Sequence, residues 1–312
     1  MSARPLVLHL ALIALLLGLQ FVLPDYHHGN LARIMVLATY AMGYNLLFGY
    51  AGLLSLGHAL YFAAGMYGLS LSMHVLGWSA GPALLAGMAS AFAVSAVSGF
   101  LALRTSGVAF MIVTLMFAQA GYLTILLFSE ITRGDEGIVI AQARRTLFGF
   151  DLSQPTNRYF AALILFSAVL LLSLWIVRSP FGRVLVAIRE NEERARLLGY
   201  DVFTRKLAAV IASGVISGAA GAAYALLFGY AGASFASVQY SIFPLLWVLV
   251  GGAGVTFGPF AGALFMFYLI DLASGLTNAW MLIAGAVLVL ITLFARQGLF
   301  GLIRARLAPW LP

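Results

Sequence analysis

Long stretches nearly free of charge dominate this chain, and no other feature narrows its possible folds so far. Apolar runs lie near residues 6–23, 31–48, 56–76, 83–103, 107–129, 159–177, 207–228, 241–256, 259–277 and 279–295. Each approaches the roughly 20 mainly apolar residues that cross a bilayer's hydrocarbon. Backbone N–H and C=O groups find no water there, so such runs close their own hydrogen bonds as helices. Composition agrees: 63% of residues are hydrophobic and 9% charged, against roughly 45–50% and about 25% in soluble domains. The predicted fold is all-α: one transmembrane domain over residues 1–312, a polytopic helix bundle of about eight to ten spans. The 33 glycines fit it, because small residues let membrane helices approach closely.

The first run follows Arg4 and continues into Phe21-Val22-Leu23-Pro24-Asp25-Tyr26 without a small-x-small cleavage site, so it reads as a retained span. With ten spans, one side holds Arg4, Arg104, seven basic residues within 178–206, Arg296, Arg304 and Arg306, twelve in all. The other holds Arg33, Arg133, Arg144, Arg145 and Arg158, and four of these five share a loop, 130–158, with four carboxylates. The positive-inside rule puts both termini and 178–206 in the cytoplasm and 130–158 outside. The same rule accounts for the net charge of +7 without any nucleic-acid partner. Membrane lipid is the expected surrounding.

Gly/Pro-interrupted apolar segments in both halves point to inverted repeats and broken helices. Phe48-Gly49-Tyr50-Ala51-Gly52 recurs as Phe228-Gly229-Tyr230-Ala231-Gly232, one copy ending a span at each face. In a chain this rich in Gly and Ala, chance is the competing explanation.

The one strongly charged stretch is 178–206. Ser179-Pro180 supplies a hydroxyl N-cap and a first-turn proline. Gly199 supplies the left-handed residue that ends a helix. Between them the periodicity predicts one helix over 183–199 with Val184, Ile188, Ala195 and Leu198 near one face. Arg189/Glu193, Glu190/Arg194 and Glu192/Arg196 are spaced as i,i+4 pairs, and Asp201 is placed to cap the next span. A solvated linker is the plain alternative. A linker, however, needs only a few residues, and an amphipathic helix facing the cytoplasm must cover either its own bundle or another subunit.

The chain contains no cysteine, which excludes thiolate chemistry and cysteine-based metal sites. Its only lysine, Lys206, follows Arg205, so the phosphate-binding G-x-x-x-x-G-K-[ST] loop is missing and any ATP hydrolysis belongs to another chain. Ser55 and His58 are three apart, as a nucleophile and base on one helix face would be, yet no carboxylate lies near to orient the histidine. No serine has glycine at both −2 and +2, so the esterase elbow is absent too. Packing of the Gly52–Ala59 turn, with His58 hydrogen-bonded in the bundle, is the structural alternative. His27-His28 are adjacent and point apart, with no third metal ligand evident. Asp135 and Glu136 are likewise neighbours on a turn, poor geometry for an acid/base pair. Asp271 lies past the middle of its span, where a carboxylate is functional, paired or reached by water. Asn45 and Gln119 also sit within spans, as helix–helix hydrogen-bonding groups or as pathway lining.

Glu193-Arg194-Ala195-Arg196-Leu197-Leu198-Gly199 matches the Glu-x-Ala-x-x-x-Gly pattern of cytoplasmic loops in ATP-binding-cassette importer permeases. Arg178 to Arg183, Arg189 to Ala195, Leu198-Gly199-Tyr200, Gly52 to Ala59, Arg104-Thr105-Ser106-Gly107, Gly134–Gly137, Gly251 to Gly254 and Gly258-Pro259 follow in the order found in branched-chain amino-acid permeases of the LivM type, which the chain resembles over most of its length. Two departures stand out. The Ile-x-Leu-Pro tail of many other importers is absent, and Arg133 occupies a position where relatives usually carry glycine.

The resemblance implies a permease subunit of a bacterial inner-membrane importer for branched-chain or other hydrophobic amino acids, without cofactor or metal of its own. Its implied partners are a homologous second permease in a heterodimer, two cytoplasmic ATPases and an extracytoplasmic solute-binding protein. The coupling residues it implies are Arg183, Arg189, Glu190, Glu192, Glu193, Ala195 and Gly199. Urea or short-amide import is the nearest alternative, and a secondary transporter or intramembrane enzyme the alternatives of another class.

Overall fold

Each apolar run becomes a helix in the computed structural model, which describes residues 4–277, 279–294 and 297–306. In chain order the helices are α1 Arg4–Val22, α2 Asp25–Asn45, α3 His58–His74, α4 Ala80–Ala102, α5 Val108–Leu127, α6 Ser129–Thr132, α7 Pro155–Arg178, α8 Pro180–Glu190, α9 Glu192–Leu197, α10 Val202–Phe228, α11 Val238–Gly251, α12 Gly258–Leu276, α13 Trp280–Phe294 and α14 Gly298–Arg306. A π-turn, Leu46–Tyr50, extends α2. Two short 3-10 turns, Gln142–Arg144 and Ala233–Ala236, and four two-residue strands complete the described chain: β1 Ile138–Val139, β2 Thr146–Leu147, β3 Phe150–Asp151 and β4 Tyr230–Ala231. The fold is an all-α polytopic membrane bundle.

Seven helices among the described residues are long and apolar enough to cross a membrane. The other three predicted spans are shorter, at 17 residues for α3, 14 for α11 and 15 for α13. Fourteen residues rise only about 21 Å at 1.5 Å each. Arg296, one of the basic residues that orient the chain, lies outside the described residues.

Backbone-to-backbone contact of α3, α4 and α10 forms the centre. A methyl group on Gly65 would meet the Gly218 carbonyl oxygen at 1.9 Å, and one on Gly221 would meet that of Phe62 at 1.9 Å. Dispersion and close approach drive such association in lipid, where apolar burial contributes little. Helix α2 is buried on almost every side, between α7, α10, α11 and α12. By contrast α1, α4 and α5 present bare apolar faces, with Leu85, Val97, Val108 and Met116 all exposed, as lipid-facing helices do.

The 24-residue α7 joins the two polar loops and so separates them by about 36 Å. One end of the bundle carries 178–206 and the other carries 130–158. The first Phe-Gly-Tyr-Ala-Gly copy closes the α2 π-turn beside 178–206. The second ends α10 beside 130–158, where β1 pairs antiparallel with β4, Ile138 opposite Ala231 and Val139 opposite Tyr230. The two copies lie at opposite ends of the bundle.

Candidate functional site

The charged segment is built cap by cap. The Ser179 hydroxyl accepts a hydrogen bond from the Gly182 N–H at 3.3 Å and starts α8 immediately after α7 ends. The continuous helix predicted over 183–199 breaks at Asn191, whose backbone is extended. Asn191 Oδ1 accepts from the Arg194 N–H at 2.8 Å and caps a second short helix, α9. An amide side chain that can serve its own downstream backbone competes with helix continuation, and here the cap wins. At Gly199, with φ +86°, the Tyr200 N–H bonds the Ala195 carbonyl and the Gly199 N–H that of Arg196. This is the paired closure that a left-handed glycine permits. Asp201 then accepts from the Thr204 N–H at 3.2 Å and opens α10.

The break redistributes the predicted contacts. Ile188 and Ala195 are buried with Val202, and Val184 packs against them, but Leu198 is 70% exposed and leaves the stripe. Of the three i,i+4 ion pairs only Glu192–Arg196 forms among the described residues, at 2.7 Å. The other two span Asn191 and lose their common helix face. Lys206 also bonds Glu192, joining α9 to the first turns of α10. Burial raises the Glu192 pKa, yet the hydrogen bond and charge of Lys206, with Arg196 beside it, outweigh that and hold it below the usual carboxylate range. On Asp201 the Thr204 hydroxyl and N–H act in the same direction.

Arg189, itself exposed, reaches across to the end of α2. Its Nη1 donates to the Gly49 carbonyl at the end of the π-turn, and its stem lies against Gly52, where a methyl group would sit 2.7 Å from Arg189 Cγ. Gly52 has φ +72°, a second reason for glycine there. One turn before Gly49, Asn45 holds the α11–α12 connector. Its Nδ2 donates to the Val255 carbonyl at 2.9 Å, and its Oδ1 accepts from the Gly254 N–H at 3.0 Å. Arg304 donates to the Gly254 carbonyl at 2.9 Å. A chain of polar contacts therefore runs from α8 through the end of α2 to the connector and α14.

The remaining face of the segment is open. Arg183, Glu190, Glu193 and Gly199 are exposed, and Leu197 is 88% exposed beside Leu198. A cleft of about 490 Å³ lies between this segment and the turn containing Arg104.

The other polar residues singled out in the sequence lie apart from this cluster. His58 Nε2 meets the Ser213 hydroxyl at 2.7 Å, and Ser213 donates to the Gly43 carbonyl at 2.6 Å. Ser213 has one proton and spends it on Gly43, so His58 Nε2 is the donor in that pair. Ser55 accepts from the Gly57 N–H at 3.1 Å and makes no bond to His58 among the described residues. Gln119 is half-buried on α5. Asp271 is exposed at the end carrying 130–158 and accepts from the Tyr26 hydroxyl at 3.1 Å. His27 contacts the Tyr268 hydroxyl at 3.1 Å, and no cluster able to hold a metal exists among the described residues. Sequence reasoning missed Gly49, Ser213 and the contact role of Arg304. The repeated pentapeptide was a signal for the first; the other two carry none.

A family model described as the branched-chain amino acid transport system permease component matches residues 28–292. The chain is 30% identical to the high-affinity branched-chain amino acid transport system permease protein LivM of Salmonella typhimurium over 88% of its own length and 69% of that protein's. Against the protein of the same name in Escherichia coli the identity is 29% with the same coverage. A probable branched-chain amino acid transport permease of Methanocaldococcus jannaschii is 26% identical over 72% of this chain and 74% of its own. No solved structure gives a significant match.

Proposed function

This chain belongs to the branched-chain amino acid transport system permease family, and on that premise we propose that it is the membrane-spanning subunit of an ATP-driven importer of branched-chain or other hydrophobic amino acids. It works with a homologous second permease, two cytoplasmic ATPases that dock on 183–199, and an extracytoplasmic solute-binding protein that delivers the substrate. Both termini and 178–206 face the cytoplasm, and 130–158 faces outward, a reading supported by the excess of basic residues on the first side.

The observation that carries this reading is the bond from Arg189 to Gly49. An ATPase that grips the exposed side of α8 and α9 moves a capped, internally paired unit, and Arg189 passes that displacement to the end of α2. Because α2 lies against α7, α10, α11 and α12, its movement shifts most of the bundle. That is the mechanical need of alternating access: one packed element with two discrete positions, biased from one end. The exposed Leu197 and Leu198 give the docking face an apolar knob inside a charged rim.

Uptake by proteoliposomes holding the assembled importer tests the reading. Transport should require ATP hydrolysis and survive dissipation of ion gradients; the reverse result rejects it. Reporter fusions at residue 190 should read cytoplasmic and at residue 145 extracytoplasmic.

A further inference from the structure

At the end of the bundle carrying 130–158, helices α2, α10, α11 and α12 enclose a half-open cavity of about 290 Å³. Its chemistry is divided. One wall is aromatic: Tyr240, Phe243 and Trp247 on α11 and Phe267 on α12, with the Phe243 and Trp247 rings stacked at 5.8 Å and 14°. The rim carries two charges of opposite sign, Arg33 from α2 and Asp271 from α12. They do not neutralise each other. The Arg33 guanidinium lies 5.2 Å from the centre of the Phe228 ring and has no carboxylate partner among the described residues. Asp271 is bonded by the neutral Tyr26 hydroxyl and by no cation among them. A flexible arginine and a carboxylate lining one cavity would be expected to pair, and here a ring and a phenol hold each one separately. The space between them suits a ligand that brings both complementary charges on one small frame.

We propose that this cavity binds a free α-amino acid with a large apolar side chain, its carboxylate on Arg33, its ammonium at Asp271 and its side chain against the aromatic wall. Ligand pockets run about 300–1,000 Å³, so a cavity at the foot of that range takes a single residue and excludes a peptide. A charged group at a partly dry rim interacts more strongly than in water, which makes the zwitterion, with two such contacts, the favoured ligand over its singly charged analogues. The proposal rests on the transport reading above and adds a binding step within this chain, after delivery and before release inward.

Equilibrium binding to the assembled permease–ATPase complex, without binding protein, tests it. The probes are radiolabelled leucine, 3-methylbutylamine, which lacks the carboxylate, and 4-methylpentanoate, which lacks the ammonium. Change in Trp247 emission, identified by its loss in Trp247→Phe, provides a second readout on the same samples. Leucine should bind at least tenfold more tightly than either analogue. Arg33→Gln should weaken leucine and 4-methylpentanoate tenfold or more and leave 3-methylbutylamine unchanged, and Asp271→Asn should show the opposite pattern. Misfolding cannot produce that crossed pattern. No leucine binding to the wild type, unchanged leucine binding in both variants, or equal weakening of all three probes overturns the proposal. The transport reading fails separately: ATP-independent uptake would reject it whatever this cavity binds, and ATP-driven uptake insensitive to both substitutions would reject only the cavity.

Discussion

Arg189 donates a hydrogen bond to the carbonyl of Gly49 across 140 positions of sequence. The last carbonyls of a helix have no partner within it and carry its partial negative charge, so a guanidinium is well matched to them. The same solution appears at the far end. Arg145 bonds the Leu227 carbonyl at 3.4 Å, and Arg144 bonds that of Met73 at 2.6 Å. Both Phe-Gly-Tyr-Ala-Gly copies thus end helices whose last turns are met by an arginine from a polar loop.

Replacing Arg189 by alanine should separate motor from bundle. A hydrogen bond to a charged group is worth about 1.5–3 kcal/mol, so uptake should fall tenfold or more while the complex still assembles and hydrolyses ATP. Arg189→Lys keeps the charge but not the planar fork and should recover part of the uptake. Parallel uptake and ATPase assays on one reconstituted preparation check this.

Asn45→Ala leaves the Gly254 N–H and the Val255 carbonyl without their side-chain partner in a buried site. Each orphaned group costs about 1–3 kcal/mol. A marked fall in thermal midpoint in detergent is expected, and Asn45→Asp should fall as well, because a carboxylate cannot donate to Val255. Fluorescence-detected thermal melts of the purified chain give the comparison.

Segment 178–206 should loosen in acid. Glu192 has a folded-state pKa below its ordinary value. Its contribution is therefore fully present above the usual carboxylate pKa, about 4.3, and is lost as pH falls through the lower folded value. The protection factors of the α9 amides, which correct exchange for its intrinsic pH dependence, should fall over that window in the wild type. Glu192→Gln should exchange faster at neutral pH and lose the dependence.

Leu197→Ser with Leu198→Ser should weaken ATPase association several-fold without lowering the melting temperature of the isolated permease. Both side chains are largely exposed in this chain, so the change removes contact area from a partner and none from the core. Co-purification yield and surface plasmon resonance measure it.

Gly221→Val should prevent stable assembly of the bundle. A methyl group already meets the Phe62 carbonyl oxygen at 1.9 Å, and the central backbones would have to part. Monodispersity on size-exclusion chromatography should be lost, whereas the same change at Gly285, where nothing lies within 4 Å, should be tolerated.

The sequence by itself determined the solvent, the element type and the caps. A chain with so few charges folds in lipid, lipid admits helices, and Ser179, Gly199 and Asp201 act through their own neighbours, so local chemistry suffices to read them. It could not settle where α3 and α11 begin, because both start after apolar connectors that share their hydropathy. It could not foresee the break at Asn191 either, where a side-chain cap competes with helix continuation. Only the tertiary structure decided the partners. Arg189 had a well-spaced glutamate four residues away and bonded Gly49 instead, while Arg33 and Asp271 came to one cavity from opposite ends of the chain. Long-range pairing depends on where helices lie in space, and periodicity along the chain holds no record of that.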